Sequence, residues 1–341
     1  DCLLSRGLGD VYKRQIHLIV KDGLGNQMFQ YAYARCLQEH YMKEGICEEL
    51  AINPYFIEHR FFKNNDNRTM SIQHLELNSN VRIQSIQEQK KSMFFFKIKT
   101  LMSTNPFDLF NWRVRGVKPA GKDHFLKRVC HGLYYTFYAY SCYGFPLSKC
   151  KNKYIFGFFQ SEKGFFPIVD KIKKEFLVKG APSGANRCML SYIQSVNAVC
   201  LHIRRGDYLN DKWKNLQICT FEYYNNAINE VLNNVENPIF FVFSNTHDDL
   251  IWIKQNYNFY DKKRIRPINL EFVDLNNPDY EELRLMYNCK YFIISNSTFS
   301  WWGAYLSTAK DKKVYVPERW NLECEDDYEI YPKEWVKVPV K

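Results

Sequence analysis

Short apolar runs and amphipathic stretches alternate along most of the chain. Residues 16–20 (Ile-His-Leu-Ile-Val) read as a strand, Gly23-Leu24-Gly25-Asn26-Gln27 as a turn, and 28–39 as a helix. A second strand is expected at 154–159, followed by a helix with Pro167 in its first turn and apolar positions at Ile168, Ile172 and Phe176. The beat is cleaner after residue 185. Strands are expected at 198–203, 238–244, 271–274, 290–295 and 313–317, and helices at 221–235, 249–257, 277–288 and 299–306. In the helix at 221–235 the apolar positions Tyr224, Ile228, Val231 and Val235 fall on one face. Buried strands separated by helices imply parallel sheets covered on both faces, so the expected class is α/β.

A chain of 341 residues is long for one core and suggests two domains. The turn-forming, polar stretch Lys179-Gly180-Ala181-Pro182-Ser183-Gly184 marks the expected boundary. The expected layout is a non-native or disordered leader at 1–15, an N-terminal domain at 16–180, a C-terminal domain at 185–320 and a tail at 321–341. Between 46 and 153 the periodicity is poor and aromatics mix with bases, as in Met93-Phe94-Phe95-Phe96-Lys97 and Leu133-Tyr134-Tyr135-Thr136-Phe137-Tyr138. Three readings stay open for it: a helical insert with aromatic core and solvated lysines, a nucleic-acid stacking surface, or a patch lying on a membrane.

Charge sharpens that region. The formal net charge is +10, yet residues 82–174 alone hold 18 Lys and Arg against 5 Asp and Glu. An anionic partner is therefore expected. No run reaches the roughly 18 to 20 apolar residues that span a bilayer, and no secretory signal pattern is present. The 11 cysteines are irregularly spaced without a C-x-x-C pair, which argues against zinc ribbons and for a reducing, cytoplasmic setting.

Ligands of such sheets sit at the carboxyl ends of the strands. Three polar groups fall there: His202-Ile203-Arg204-Arg205-Gly206-Asp207-Tyr208, Ser244 to Asp249, and Ser295 to Ser300. Adjacent arginines at a strand end offer two planar forks of donors that match phosphate. Arg204 and Arg205 are accordingly read as a phosphate clamp, with Asp207 either orienting one of them or acting as a base. His202, beside two cations, is expected to stay neutral and donate one hydrogen bond. Asn296, Ser297 and Thr298 stand where a strand becomes a helix, an anion site or a plain N-cap. Asp248 and Asp249 can start a helix, bind a metal or read a guanine edge. No Asp-x-Asp occurs, so no metal is expected and the phosphate charge falls to the arginines and backbone donors.

Three blocks, Gly23-Leu24-Gly25-Asn26-Gln27-Met28-Phe29-Gln30-Tyr31-Ala32, the His202 to Tyr208 motif and Ser295-Asn296-Ser297-Thr298-Phe299-Ser300-Trp301-Trp302-Gly303-Ala304, together resemble the bacterial α-1,2-fucosyltransferases of glycosyltransferase family 11. Gly157 to Lys163 and Leu285 to Cys289 resemble further blocks of that family. The resemblance implies a GT-B architecture of two Rossmann-like domains facing a cleft, with the basic, largely helical insert in the N-terminal half. It implies inverting transfer of L-fucose from GDP-L-fucose to the 2-hydroxyl of a galactose-terminated oligosaccharide or lipid-linked glycan, with no metal or other cofactor. On that footing the donor contacts are Gly25, Asn26, Gln27, His202, Arg204, Arg205, Ser244, Asp248, Asn296, Ser297, Thr298 and Phe299, with Arg204, Arg205 and Asp207 as the catalytic group. The stretch Ser244-Asn245-Thr246-His247-Asp248-Asp249 departs from the Ser-Asp-Asp that the family often shows. The partners expected are the donor, the glycan and an anionic membrane face, without nucleic acid. The readings that compete are another nucleotide-sugar transferase on the same scaffold, and a nucleic-acid-binding protein that uses the basic insert.

Overall fold

The computed structural model describes residues 14–59, 68–261, 263–322 and 329–340. The side chains of Leu109, Asp207, Leu209 and Lys212 are not among those described. Most of the expected leader therefore lies outside the described residues. The chain divides into two compact units, Asp1–Phe176 and Leu177–Lys341.

The first unit is built on β1 (Gln15–Ile19), α1 (Leu24–Lys43), β2 (Glu49–Asn53), α2 (Tyr55–Glu58) and β3 (Val81–Ile83). It continues through α3 (Ile86–Ser103), α4 (Pro106–Arg115), α5 (Lys122–Cys130), β4 (Leu133–Tyr135), β5 (Asn152–Phe156) and α6 (Val169–Glu175). Its five strands pair in the order β3-β2-β1-β5-β4, all parallel. The order reverses between β1 and β5, which is where a doubly wound sheet opens a crevice. The basic region 46–153 supplies the expected helices and, in addition, strands β2, β3 and β4. These strands are short, and neither β2 nor β3 has a long apolar run, which is why hydrophobic pattern alone did not mark them.

Helix α1 starts at Leu24, earlier than the pattern suggested, so Gly25, Asn26 and Gln27 form its first turn rather than a loop. The helix is buried almost all round, Tyr31, Tyr33 and Tyr41 included. A helix submerged in this way has no polar face to reveal its period.

The second unit holds α7 (Gly184–Ser195), β6 (Asn197–His202), α8 (Phe221–Asn234), β7 (Pro238–Phe243) and α9 (His247–Asn256). A small antiparallel pair, β8 (Tyr260–Asp261) and β9 (Arg266–Pro267), precedes β10 (Leu270–Phe272) and α10 (Asp279–Tyr287). β11 (Tyr291–Ile293), α11 (Thr298–Leu306), β12 (Lys313–Pro317) and β13 (Val336–Val338) complete it. The sheet order β10-β7-β6-β11-β12-β13 is parallel throughout and is the Rossmann order. Each unit is thus Rossmann-like, as a GT-B architecture requires.

Two packing features fix the carboxyl edge of the second sheet. Tyr224, Ala227, Ile228 and Val231 of α8 bury against Val199, Leu201, Phe240 and Val242 of the strands. Gly303 of α11 lies so close to α10 that a Cβ there would approach Met286 to 3.1 Å, and Trp301 of α11 donates its indole N–H to the Ile330 carbonyl at 2.9 Å. Helix α11 is therefore seated firmly, with its N-terminus at the end of β11. β13, inside the expected tail, pairs with β12 as the edge strand.

Candidate functional site

The reversal of strand order in the second unit falls between β6 and β11. His202 ends β6 and Ser295 follows β11, and their side chains join across the reversal, Nδ1 to Oγ at 2.9 Å. Both residues are buried. Burial first, and the nearby Arg204 guanidinium second, push the His202 imidazole down to about 3, so it is neutral at ordinary pH. The sequence indicated the neutrality but assigned it to the arginines, whereas desolvation is the larger cause.

Past His202 the chain turns sharply. Gly206 has φ of +36°, and a Cβ on it would lie 2.8 Å from the Asn245 side-chain nitrogen. Both constraints call for glycine. Arg204 and Arg205 immediately precede that turn, each partly buried and each over an aromatic ring. The Arg204 guanidinium carbon is 5.2 Å from the Tyr208 ring centre, and that of Arg205 is 3.2 Å from the Trp252 ring centre. Tyr208 is itself held by its hydroxyl, which donates to the Asn296 carbonyl at 2.9 Å. Arg205 Nε faces Asp249 Oδ1 at 3.6 Å, an ion pair too long for a hydrogen bond, and this Nε is buried without a hydrogen-bond partner. Stacking holds a guanidinium plane while leaving its edge donors available.

The polar groups at the three strand ends divide into two kinds. Ser244 donates to the Ile203 carbonyl at 2.8 Å and ties the end of β7 to that of β6. Asn296 donates to the carbonyls of Leu216 at 3.0 Å and Trp320 at 2.8 Å, which anchors two loops. Thr246 caps α9 by accepting from the Asp249 N–H at 3.1 Å. Asp249 returns a carboxylate to the Thr246 hydroxyl at 3.1 Å and to the Gly206 N–H at 3.4 Å. Asp248, one residue earlier, is exposed. These groups hold the edge together.

The other kind is the start of α11. Its N-cap residue, Ser297, makes no side-chain cap bond, so the first-turn N–H groups of Thr298 and Phe299 face outward without a hydroxyl over them. Ser297 is buried, Thr298 and Phe299 are half-buried, and the Phe299 ring lies 6.2 Å from the His202 ring. The uncapped helix start, the neutral histidine and the two arginines occupy one carboxyl edge. Such an edge suits an anion with several oxygens.

Trp252 and Glu282 were not singled out from sequence, and Ser295 and Tyr208 were read only as members of their motifs. Ser295 fixes His202, Trp252 and Tyr208 underlie the arginines, and Glu282 stands half-buried in the first turn of α10. Burial, then Asp279, push the Glu282 carboxyl up to about 8. Only the run of acids at 279–282 hinted at it.

In the first unit, Gly25, Asn26 and Gln27 sit beside the reversal between β1 and β5. Gln27 is fully buried. Its amide donates to the Asp22 and Thr69 carbonyls, both at 2.8 Å, and accepts from the Ile72 N–H at 3.2 Å. Asn26 Oδ1 accepts from Gln160 at 2.8 Å, and Gly25 is buried. Asp22, with φ of +65°, pairs with Arg68 at 3.0 Å. Among the described residues no cluster of three or more His, Cys, Asp or Glu side chains could hold a metal ion.

Two doubly wound parallel units, one with an arginine pair and an open helix start at its strand reversal, define an α/β protein of the Rossmann-like class. The profile of Glycosyl transferase family 11 matches residues 15–339, so the chain belongs to that family and is a glycosyltransferase. An α-1,2-colitosyltransferase of Escherichia coli is 32% identical over 185 residues, which cover 53% of this chain and 61% of that protein. The O-antigen biosynthesis glycosyltransferase WbnK of Escherichia coli is 27% identical over 325 residues, covering 88% of this chain and 93% of WbnK. Among solved structures, the fucosyltransferase NodZ from Bradyrhizobium aligns with 86% of this chain and 93% of its own at 9% identity and a TM-score of 0.45.

Proposed function

We propose that this glycosyltransferase moves L-fucose from GDP-L-fucose to the 2-hydroxyl of a terminal galactose, with inversion and without a metal. The observation that carries the reading is the convergence of Arg204, Arg205 and the uncapped start of α11 at the His202–Ser295 junction. Breaking a sugar–phosphate bond builds negative charge on the leaving diphosphate. Donors already in place stabilise that charge without reorganising. Arg204 and Arg205 take the phosphate oxygens as forks, and the N–H groups of Thr298 and Phe299 add neutral donors. His202, neutral and held by Ser295, keeps the strand end in register and adds no positive charge of its own. Asp248, exposed in the first turn of α9, is the candidate for the base edge.

A second donor sugar is favoured by one observation, the 32% identity with a colitosyltransferase. Colitose is the 3-deoxy counterpart of L-fucose, so the choice turns on one hydroxyl. A site built to bond that hydroxyl rejects the deoxy sugar by about 10⁴ or more, and a site that ignores it discriminates weakly.

The test is a donor panel. The protein is incubated with GDP-L-fucose, GDP-colitose, other GDP sugars and UDP sugars, each with lactose and EDTA, and nucleoside diphosphate release and product linkage are followed. Turnover of GDP-L-fucose in EDTA, with an α-1,2 product, is the expected result. Preference for GDP-colitose replaces the donor sugar. A requirement for added Mn²⁺, or turnover of UDP sugars only, overturns the reading.

A further inference from the structure

Two helices of the first unit carry a surface that neither the core nor the sugar-nucleotide site uses. Helix α3 buries one face, Gln89, Ser92, Met93 and Phe96, with the last two packed against Ile19, Leu133 and Tyr154. Its outer face is not the polar one expected of a surface helix. Ile86, Phe94, Phe95, Leu101 and Met102 point to solvent there, with Phe94 61% and Met102 67% exposed. Helix α4 repeats the pattern more strictly. Phe107, Phe110 and Val114, at i, i+3 and i+7, form an apolar stripe 67%, 53% and 65% exposed, and Val117 just beyond is exposed as well. Scattered single apolar residues on a surface need no explanation, but two consecutive helices with several large apolar side chains outward do.

The charges around these stripes select the partner. Residues 86–118 hold seven Lys and Arg (Lys90, Lys91, Lys97, Lys99, Arg113, Arg115 and Lys118) against only Glu88 and Asp108. Both acids are already occupied. Glu88 closes the capping box of α3 with Ser85 and pairs with Arg82 at 2.8 Å, and Asp108 lies 3.6 Å from His124. Lys90, Lys91 and Lys97 are exposed on the same outer face of α3 as the apolar side chains, and Arg113 and Arg115 are exposed on α4. No helix among the described residues is long and apolar enough to cross a membrane. Helices with Phe and Leu on the outside and bases beside them have the composition of elements that lie in the headgroup layer.

We propose that the outer faces of α3 and α4 dock this protein on an anionic phospholipid bilayer, the apolar stripes entering the headgroup boundary and the bases meeting lipid phosphates. The inference is independent of donor and acceptor identity. The structure also refines which aromatics serve it. Leu133 and Tyr134, in the more aromatic of the two sequence runs, are buried core residues of β4, whereas Phe94, Phe95, Phe107 and Phe110 are outside.

The test uses the whole chain with vesicles of phosphatidylcholine alone or with about one-third phosphatidylglycerol, read by co-sedimentation. The expected result is binding to the anionic vesicles at 0.05 M NaCl, loss of most of it at 0.5 M, and little binding to neutral vesicles. The triple variant F107S/F110S/V114S should bind anionic vesicles about tenfold or more weakly while unfolding at an unchanged temperature, because all three side chains already face water. The variant K90Q/K91Q/K97Q should weaken binding and flatten its salt dependence. Equal binding to neutral and anionic vesicles, or no loss in either variant, overturns the proposal. So does a dimer in sedimentation equilibrium that the triple variant dissolves, which would give the surface to a second copy. Oligonucleotide binding that displaces the vesicles would give it to nucleic acid and overturn the proposal equally.

Discussion

The second unit contains two junctions of the same kind, β7 into α9 and β11 into α11, and they end differently. At α9 the chain closes its own helix: Thr246 caps the Asp249 N–H, and Asp249 answers with its carboxylate. At α11 the residue in the cap position is also a hydroxyl, Ser297, yet it makes no cap bond. A helix start that is satisfied internally has little left for a ligand, while one left open retains both donors and a positive end of the dipole. Serine, threonine and aspartate near a strand end therefore do not by themselves mark an anion site. The direction in which the side chain turns decides it, and of these two starts the one at α11 stays open beside the arginines.

The largest effect that tests this contrast comes from the clamp. Arg204→Ala or Arg205→Ala should lower kcat/KM by roughly 10² to 10³, about 3 to 4 kcal/mol, with circular dichroism unchanged. Arg205→Lys should recover only a small part, because a lysine cannot reproduce a fork stacked on Trp252. Near-wild-type turnover in both alanine variants would remove the arginines from the diphosphate.

The pH dependence of stability is the next effect. His202 is pushed down to about 3 in the folded protein against an ordinary 6.5. Between those values the unfolded chain binds a proton that the folded one does not, so stability is complete above about 6.5 and falls as the pH drops toward 3. One such group gives a slope of about 1.4 kcal/mol per pH unit at most. Glu282, raised from 4.5 to about 8, acts with the opposite sign and takes stability away as the pH rises through that window. Between about 4.5 and 6.5 the two oppose each other. In denaturant melts the stability of Glu282→Gln should therefore rise with pH more than wild type over that interval, and that of His202→Asn should rise less or fall. Parallel curves for all three proteins would contradict the burial of one or both groups.

Two smaller changes separate the helix starts directly. Ser297→Asp places an acceptor over the open turn of α11. It should leave thermal stability equal or higher while weakening GDP binding by about tenfold or more in calorimetry, since the carboxylate occupies the anion's place. Thr246→Ala removes the existing cap of α9 and should cost about 1 kcal/mol of stability with GDP affinity changed less than about threefold. If Thr246→Ala weakens GDP binding as strongly as Ser297→Asp does, the two starts are not functionally distinct.

Much of the second unit was legible from its pattern. Strands β6, β7 and β12 are short apolar runs in a sheet covered on both faces, and α8 carries its buried positions at helical spacing, so each appears close to where the pattern puts it. Less of the first unit was legible. β3 has only Val81 to Ile83, none of it fully buried, and α1 is buried on nearly every side. Elements like these have no one-sided periodicity to read. The first turn of α1 was hidden by its glycines, which suggest a turn in isolation. Buried Gln27, bonded to three backbone groups, holds Leu24 to Gln27 in the helix instead. Trp252 escaped notice at the site because nothing local marks a tryptophan as the platform of an arginine many residues away.

By itself the sequence determined the parallel α/β class, the placement of an arginine pair after a buried strand, and the family blocks around it. Those follow from local properties: apolar runs of strand length, helical spacing and the glycine that the turn after Arg205 requires. Only the tertiary structure decided which strand-end polar groups remain available to a ligand. Ser244, Asn296 and Gln27 have suitable chemistry but are engaged with carbonyls and N–H groups, most of them remote in sequence. The start of α11 is not so engaged. A hydrogen bond's partner is fixed by strand register and helix packing, and neither is written in the spacing of residues along the chain.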